Sequence, residues 1–196
     1  AHEIMIAFVS KKLTKNNING INIISKAAGI NGMIAGQAVD IESEGKSIDI
    51  DTMKFIHSNK TGALIEASIV AAAVMSDADD TRIAALKTYA KYIGLAFQIT
   101  DDILDIEGNE AELGKKIGSD ELNDKATYPK YFGLEKSKEY AKNTITNAIE
   151  SLNVFEVLNK CAIGDYMGLA EYMAAGISCL AAAGCDFAAF TGITPH

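Results

Sequence analysis

The residues best suited to chemistry are acids and one amide that recur along a single stretch near residue 100. Gln98, Asp101, Asp102 and Asp105 are spaced i, i+3, i+4 and i+7, which places them on one face of a helix. Carboxylates this close repel one another, and the range 92–113 contains no Lys or Arg to balance them. Mg²⁺ would relieve the repulsion, because it typically takes one or two carboxylates plus water and phosphate oxygens. A solvated acidic face is the competing interpretation, and spacing alone does not separate the two.

Basic and polar side chains elsewhere could contact an anion held by such a metal. Lys60 and Thr61 precede an apolar run inside a predicted helix, and Lys115 and Lys125 lie in the charged segment after the acidic stripe. For each lysine, ordinary solvated charge is the alternative. Gln37 stands near a predicted helix end, where capping and ligand binding are both reasonable roles. A loop that carries ammonium groups could close over an anion and exclude water.

Helices must position these side chains, because helical periodicity dominates the chain and no run of β-type alternation occurs. The three acids among residues 77–80 suit a helix N-terminus, where the helix dipole favours negative charge. We therefore expect one all-helical domain over 1–196, built as a helical bundle. Its last part, 174–196, is an atypical tail rich in Ala and Gly. The predicted helices cover 4–13, 23–38, 51–75, from about 80 to 106, 128–152, and a region after 155.

Composition excludes several classes of function. The formal net charge of -8 argues against a nucleic-acid partner, because phosphate backbones recruit Lys and Arg in excess. The three cysteines are widely spaced, which is typical of reduced thiols in a cytoplasmic protein. The three histidines are scattered, so we predict no histidine metal site. The longest uncharged stretch near the C-terminus is shorter than the ~20 residues of a spanning helix, and we see no signal peptide.

In their order along the chain, these motifs resemble the C-terminal part of the trans-isoprenyl diphosphate synthases, the family of farnesyl and geranylgeranyl diphosphate synthases. Any one motif is weak, but five in the family's order are specific. The segments that carry the resemblance are 32–40 with 44–45, 59–64, 94–105, 113–115 and 124–129.

The resemblance implies an all-α bundle of the isoprenoid synthase type that lacks its N-terminal helices. It also implies the roles of the candidate residues. Those of the metal site would bind Mg²⁺, and the others would bind the allylic diphosphate or its leaving group. The implied metal ligands are Asp101, Asp102 and Asp105; the implied substrate-binding residues are Lys60, Thr61, Gln98, Lys115, Lys125 and Gln37; and those implied to act in catalysis are Lys60, Thr61, Asp101 and Lys115.

The implied activity is a Mg²⁺-dependent prenyl transfer from an allylic diphosphate to isopentenyl diphosphate, performed by a cytoplasmic homodimer. Nothing in 1–39 matches the family's first aspartate-rich motif, so we expect this chain alone to lack activity. That departure favours a catalytically silent or regulatory subunit, which the intact Lys60, Gln98 and acidic stripe disfavour. A terpene cyclase of similar build is a further alternative. The sequence does not indicate the length of the product.

Overall fold

The computed structural model describes residues 2–108, 118 and 125–155. Within these ranges the chain forms helices joined by short turns, and none of the described residues lies in a strand. The all-α prediction is therefore confirmed. The elements are α1 (His2–Lys11), α2 (Lys15–Ala28), α3 (Met33–Ser43), α4 (Ile50–Ile56), a π-helical turn (His57–Gly62), α5 (Ala63–Met75), α6 (Asp80–Glu107), α7 (Tyr128–Phe132) and α8 (Leu134–Glu150).

Side-chain caps explain why several of these helices begin where they do. Each cap supplies an oxygen to a backbone N–H of the first turn that has no partner within the helix. Asp79 accepts from the N–H of Arg82 at 2.8 Å, as the acids of 77–80 led us to expect. The other capped helices are α2, by Thr14; α4, by Asp49; and α7, by Thr127.

Two predicted helices are broken in the structure, and a third is continuous as predicted but contains an irregular turn. The second predicted helix is broken before α3, because the chain turns at Gly32, where a Cβ would lie 2.1 Å from the carbonyl oxygen of Ala27. The predicted helix over 51–75 is helical throughout, but it contains the π-helical turn. The predicted helix over 128–152 breaks at Gly133, whose φ of 82° lies in the left-handed region that favours glycine.

Helix α6 is the element around which the described part of the bundle packs. Its first half meets α5 and α8 in a cluster that includes Ala73, Leu86 and Ala148. Its second half meets α4, α7 and α8 around Met53 and Ile99, each only 1% exposed. The acidic stripe therefore lies on a helix that is held from several sides, and its side chains have a fixed setting.

Among the described residues, no helix combines the length and the apolar character that crossing a bilayer requires. The predicted tail, 174–196, lies outside the described residues.

Candidate functional site

Lys60 and Thr61 lie in the π-helical turn (His57–Gly62). A π turn holds one more residue than an α turn, and such turns are frequent at functional sites. Two glycines let neighbouring helices approach its backbone. A Cβ at Gly36 in α3 would lie 2.1 Å from the backbone nitrogen of Lys60, and a Cβ at Gly94 in α6 would lie 3.2 Å from Cα of Gly62. The turn is thus enclosed between α3 and α6.

Helix α3 also supplies an ionic partner for Lys60. The Lys60 Nζ donates a hydrogen bond to Asp40 Oδ2 at 2.5 Å, and their side chains are 36% and 20% exposed. Gln37, one turn earlier, is half-buried. Both Gln37 and Asp40 lie inside α3, which continues to Ser43. Capping of the helix end is therefore not their role.

A cavity of about 640 Å³ opens beside this ion pair. It brings Lys60 together with Lys125, two lysines predicted as diphosphate ligands from distant parts of the sequence. The hydroxyl of Tyr131 in α7 donates to the carbonyl oxygen of Ile48 and so fixes one wall. The predicted ligands Thr61, Gln98 and Gln37 do not line this cavity. The lining residues are Asp40, Ser43, Glu44, Gly45, Lys46, Ile48, Met53, Ile56, His57, Lys60, Lys125 and Ala126.

The acidic stripe occupies the second half of α6, and its members differ in burial. Asp101 and Gln98 are half-buried, whereas Asp102 and Asp105 are each 2% exposed. The backbone N–H of Tyr128 donates to Asp102 Oδ2 at 2.9 Å, so this carboxylate also anchors the start of α7. The alternative of a freely solvated acidic face is thereby excluded for Asp102 and Asp105.

These carboxylates fit a magnesium ion only as part of its ligand set. Among the residues that the structure describes, no three His, Cys, Asp or Glu side chains are grouped so that they could hold a metal ion. Mg²⁺ needs no such group, because it commonly binds one or two carboxylates and completes its octahedron with water and substrate phosphates. Asp101 is the carboxylate of the stripe that is not fully buried. It is therefore the one best placed to meet a metal carried in with a diphosphate.

His57 is the functional candidate that the sequence analysis missed. It is the first residue of the π-helical turn, is 5% exposed and stacks on Tyr128 with ring centroids 5.8 Å apart and planes at 21°. Burial, and secondarily the charge of Lys125, lowers its pKa to about 4, and the carboxylates of Asp40 and Asp101 only partly offset this. The imidazole is therefore neutral at pH 7. Its position three residues before Lys60 was the available signal.

The pKa of His57 also depends on charged groups from several elements. Asp40, Lys60, Asp101 and Lys125 all contribute to it, so two predicted lysines and one predicted metal ligand act electrostatically on a single buried ring. Lys115, also predicted as a ligand, lies outside the described residues.

Comparison with known proteins agrees with the resemblance stated above. The profile of the polyprenyl synthetase family matches residues 2–162. The chain is 42% identical to the farnesyl diphosphate synthase of Micrococcus luteus over 139 residues, which are 71% of this chain and 48% of that protein. It is 41% identical to the heterodimeric geranylgeranyl pyrophosphate synthase large subunit 1 of Arabidopsis thaliana over 160 residues, 80% of this chain and 42% of that protein.

Solved structures of similar fold point the same way. A geranyltransferase from Helicobacter pylori, in complex with magnesium and isoprenyl diphosphate, superposes with a TM-score of 0.69 at 29% identity. The superposition covers 91% of this chain and 56% of that one. The chain thus spans about half the length of the relatives that it matches.

Proposed function

Because this chain belongs to the polyprenyl synthetase family, we propose that it forms the diphosphate-binding part of a Mg²⁺-dependent prenyltransferase. The enzyme would join isopentenyl diphosphate to an allylic diphosphate and release pyrophosphate. The observation that carries the proposal is the convergence of Lys60 and Lys125 on one cavity, beside a ring whose pKa also responds to Asp101. Cations facing a carboxylate pattern of this kind suit a metal-bridged diphosphate.

The reaction begins with breakage of the allylic C–O bond, and the pyrophosphate leaves with the electron pair. The double bond of isopentenyl diphosphate then attacks the allylic cation, a C–C bond forms, and the released pyrophosphate takes up the proton lost from the neighbouring carbon. Lys60 and Lys125 would stabilise the charge that grows on the leaving pyrophosphate. Thr61 and Gln98, both half-buried, would orient it by hydrogen bonding, as would Gln37 and Lys115.

Bound Mg²⁺ supplies positive charge to the same leaving group, and Asp101, Asp102 and Asp105 would hold it from the side of α6. The ion pair with Asp40 holds the Lys60 ammonium in place before a ligand enters. The diphosphate would compete with Asp40 for that ammonium, so we expect this pair to lengthen on binding.

The cavity also has an apolar wall, formed by Ile48, Met53 and Ile56. A carbocation is captured by water unless its surroundings are dry. This wall would shield the reacting carbon on the side opposite the charged groups. Homodimer formation and a cytoplasmic location remain predictions from the resemblance. Apolar side chains exposed on α1 to α3 and in the turns between them support a large contact with another segment or subunit; they include Ile4, Ile6, Leu13, Ile30, Ile34 and Ile41.

The test is a product analysis with an intact synthase that contains this chain. Radiolabelled isopentenyl diphosphate and an allylic diphosphate are supplied with Mg²⁺ or with EDTA, and the prenyl products are separated. We expect chain elongation that needs Mg²⁺ and that falls sharply in Lys60→Ala. The control variant Lys136→Ala should keep the activity, because Lys136 is an exposed residue of α8 that lines neither described cavity.

The other outcomes identify the rival functions. Cyclic products without incorporation of isopentenyl diphosphate would indicate a terpene cyclase. No product, together with restored synthesis when an active family member is added as a partner, would indicate a silent subunit. The unmatched first aspartate-rich motif in 1–39 is the observation that favours this second candidate.

A further inference from the structure

One buried polar atom near the site has no partner. Among the described side chains, His57 Nδ1 is the buried nitrogen or oxygen that makes no hydrogen bond. Burying such an atom unpaired costs free energy, and folded proteins rarely leave one unexplained. A phenylalanine at this position would stack equally well on Tyr128 and avoid the cost. The presence of a histidine therefore needs a reason beyond packing.

The surroundings of the ring indicate what the nitrogen is for. His57 lines the 640 Å³ cavity with Lys60 and Lys125, and of the described residues it alone also lines a second cavity of about 420 Å³ behind the π-helical turn. A charged imidazole next to two lysines would be repelled by them. A neutral imidazole keeps one N–H donor at no such cost, and an anion held by the lysines offers acceptor oxygens.

We propose that His57 is a further binding residue of this site, whose ring N–H donates a hydrogen bond to a diphosphate oxygen held between Lys60 and Lys125. The inference rests on the proposed function, since it takes a diphosphate as the ligand. The ring would keep its stack on Tyr128 as it turns towards the ligand. A half-turn about the Cβ–Cγ bond leaves the ring in the same plane and turns its opposite edge towards the larger cavity.

Two substitutions test separately the stacking of the ring and the hydrogen bond of its nitrogen. His57→Phe keeps the stack on Tyr128 and removes the donor, whereas His57→Asn keeps an N–H donor close to the Nδ1 position and removes the stack. Each variant of the 196-residue chain is titrated with inorganic pyrophosphate in excess Mg²⁺ by calorimetry, and its thermal unfolding is followed by circular dichroism. Lys60→Ala and Lys136→Ala serve as the positive and negative controls.

We expect His57→Phe to unfold at the same temperature as the wild type or higher, yet to bind pyrophosphate about 10-fold more weakly or worse, the usual scale of a hydrogen bond to a charged group. His57→Asn should unfold at a lower temperature and bind more tightly than His57→Phe. A His57→Phe variant that binds as tightly as the wild type would overturn the inference.

The outcomes also separate this inference from the proposed function. Loss of binding in Lys60→Ala with unchanged binding in His57→Phe would reject the role of His57 alone. No pyrophosphate binding by the wild type would reject both. If His57→Phe fails to fold, ¹⁵N-edited spectra of the wild-type imidazoles replace it, since the chain has only three histidines. The His57 N–H signal should shift and exchange more slowly with pyrophosphate; an unchanged signal at saturation would contradict the inference.

Discussion

Replacing Gly36 by alanine should damage the candidate site from a position that touches no ligand. A Cβ on Gly36 would lie 2.1 Å from the backbone nitrogen and 2.7 Å from Cα of Lys60, where ordinary contact begins at 3.4 Å. The difference, 3.4 − 2.1, requires α3 and the π-helical turn to separate by about 1.3 Å. Backbone does not yield as a flexible side chain does. The Lys60 ammonium would therefore move relative to Asp40 and to the cavity.

The expected loss of stability in Gly36→Ala is the difference between two opposed effects. Overpacking of a tight contact costs about 3 kcal/mol at the upper end of its usual range, and alanine regains up to ~1 kcal/mol over glycine inside a helix. The net loss of about 2 kcal/mol corresponds to a fall in Tm of roughly 4–8 °C for a chain of this size. Loss of the contact between Lys60 and the anion should weaken pyrophosphate binding about 10- to 100-fold.

Two other glycines provide matched controls for the Gly36→Ala assay, which combines thermal unfolding with pyrophosphate titration. At Gly20 the added Cβ would meet the flexible side chain of Met75 at 2.5 Å, so Gly20→Ala should cost less stability and leave binding unchanged. At Gly94 the added Cβ would lie 3.2 Å from Cα of Gly62, so Gly94→Ala should have an effect between those of Gly20→Ala and Gly36→Ala. A Gly36→Ala variant with wild-type Tm and wild-type affinity would refute the reasoning that Gly36 sets the position of Lys60.

Three further predictions follow from the same geometry. In an intact synthase, Asp101→Ala should lower turnover by ~100-fold or more, the scale for removing a group that stabilises developing charge; unchanged turnover at saturating Mg²⁺ would refute its assignment. Asp102→Ala should destabilise the fold by about 1–3 kcal/mol, because it leaves the buried N–H of Tyr128 without its acceptor; a denaturant titration with an unchanged midpoint would contradict that. The low pKa of His57 predicts that the fold is sensitive to acid. Because folding favours the neutral imidazole, its contribution to the free energy of unfolding is complete above pH 6.5 and is lost as pH falls from 6.5 towards about 4. The loss is on the order of 3 kcal/mol, and it should disappear in His57→Phe when urea unfolding is compared at pH 7 and pH 4.5; parallel pH profiles for the two proteins would show that the imidazole does not titrate in this way.

Much of the fold could be predicted from periodicity, but the site could be predicted only in part. The i, i+3, i+4, i+7 spacing correctly placed the acids on one helix face, because α6 is a regular helix throughout that stretch. Helical periodicity could not reveal the π-helical turn, because the apolar positions there are too irregularly spaced to show one additional residue per turn. As a result, Lys60 was assigned to a helix but its partner Asp40 was not foreseen.

The sequence analysis missed His57 for a different reason. Its burial and its lowered pKa depend on Tyr128 and Lys125, which lie far along the chain, so its position three residues before Lys60 could not reveal them. The two breaks beside Gly32 and Gly133 were missed because glycine is tolerated inside helices. Only the close approach to Ala27 and the positive φ at Gly133 make those positions obligatory turns.

The most direct test of the central claim is a crystal structure of the chain grown with Mg²⁺ and inorganic pyrophosphate. The account predicts pyrophosphate in the 640 Å³ cavity, with Nζ of Lys60 and Lys125 within about 3 Å of its oxygens and a metal ion between it and Asp101. Pyrophosphate bound elsewhere, with Lys60 still paired to Asp40 and no metal at α6, would contradict it.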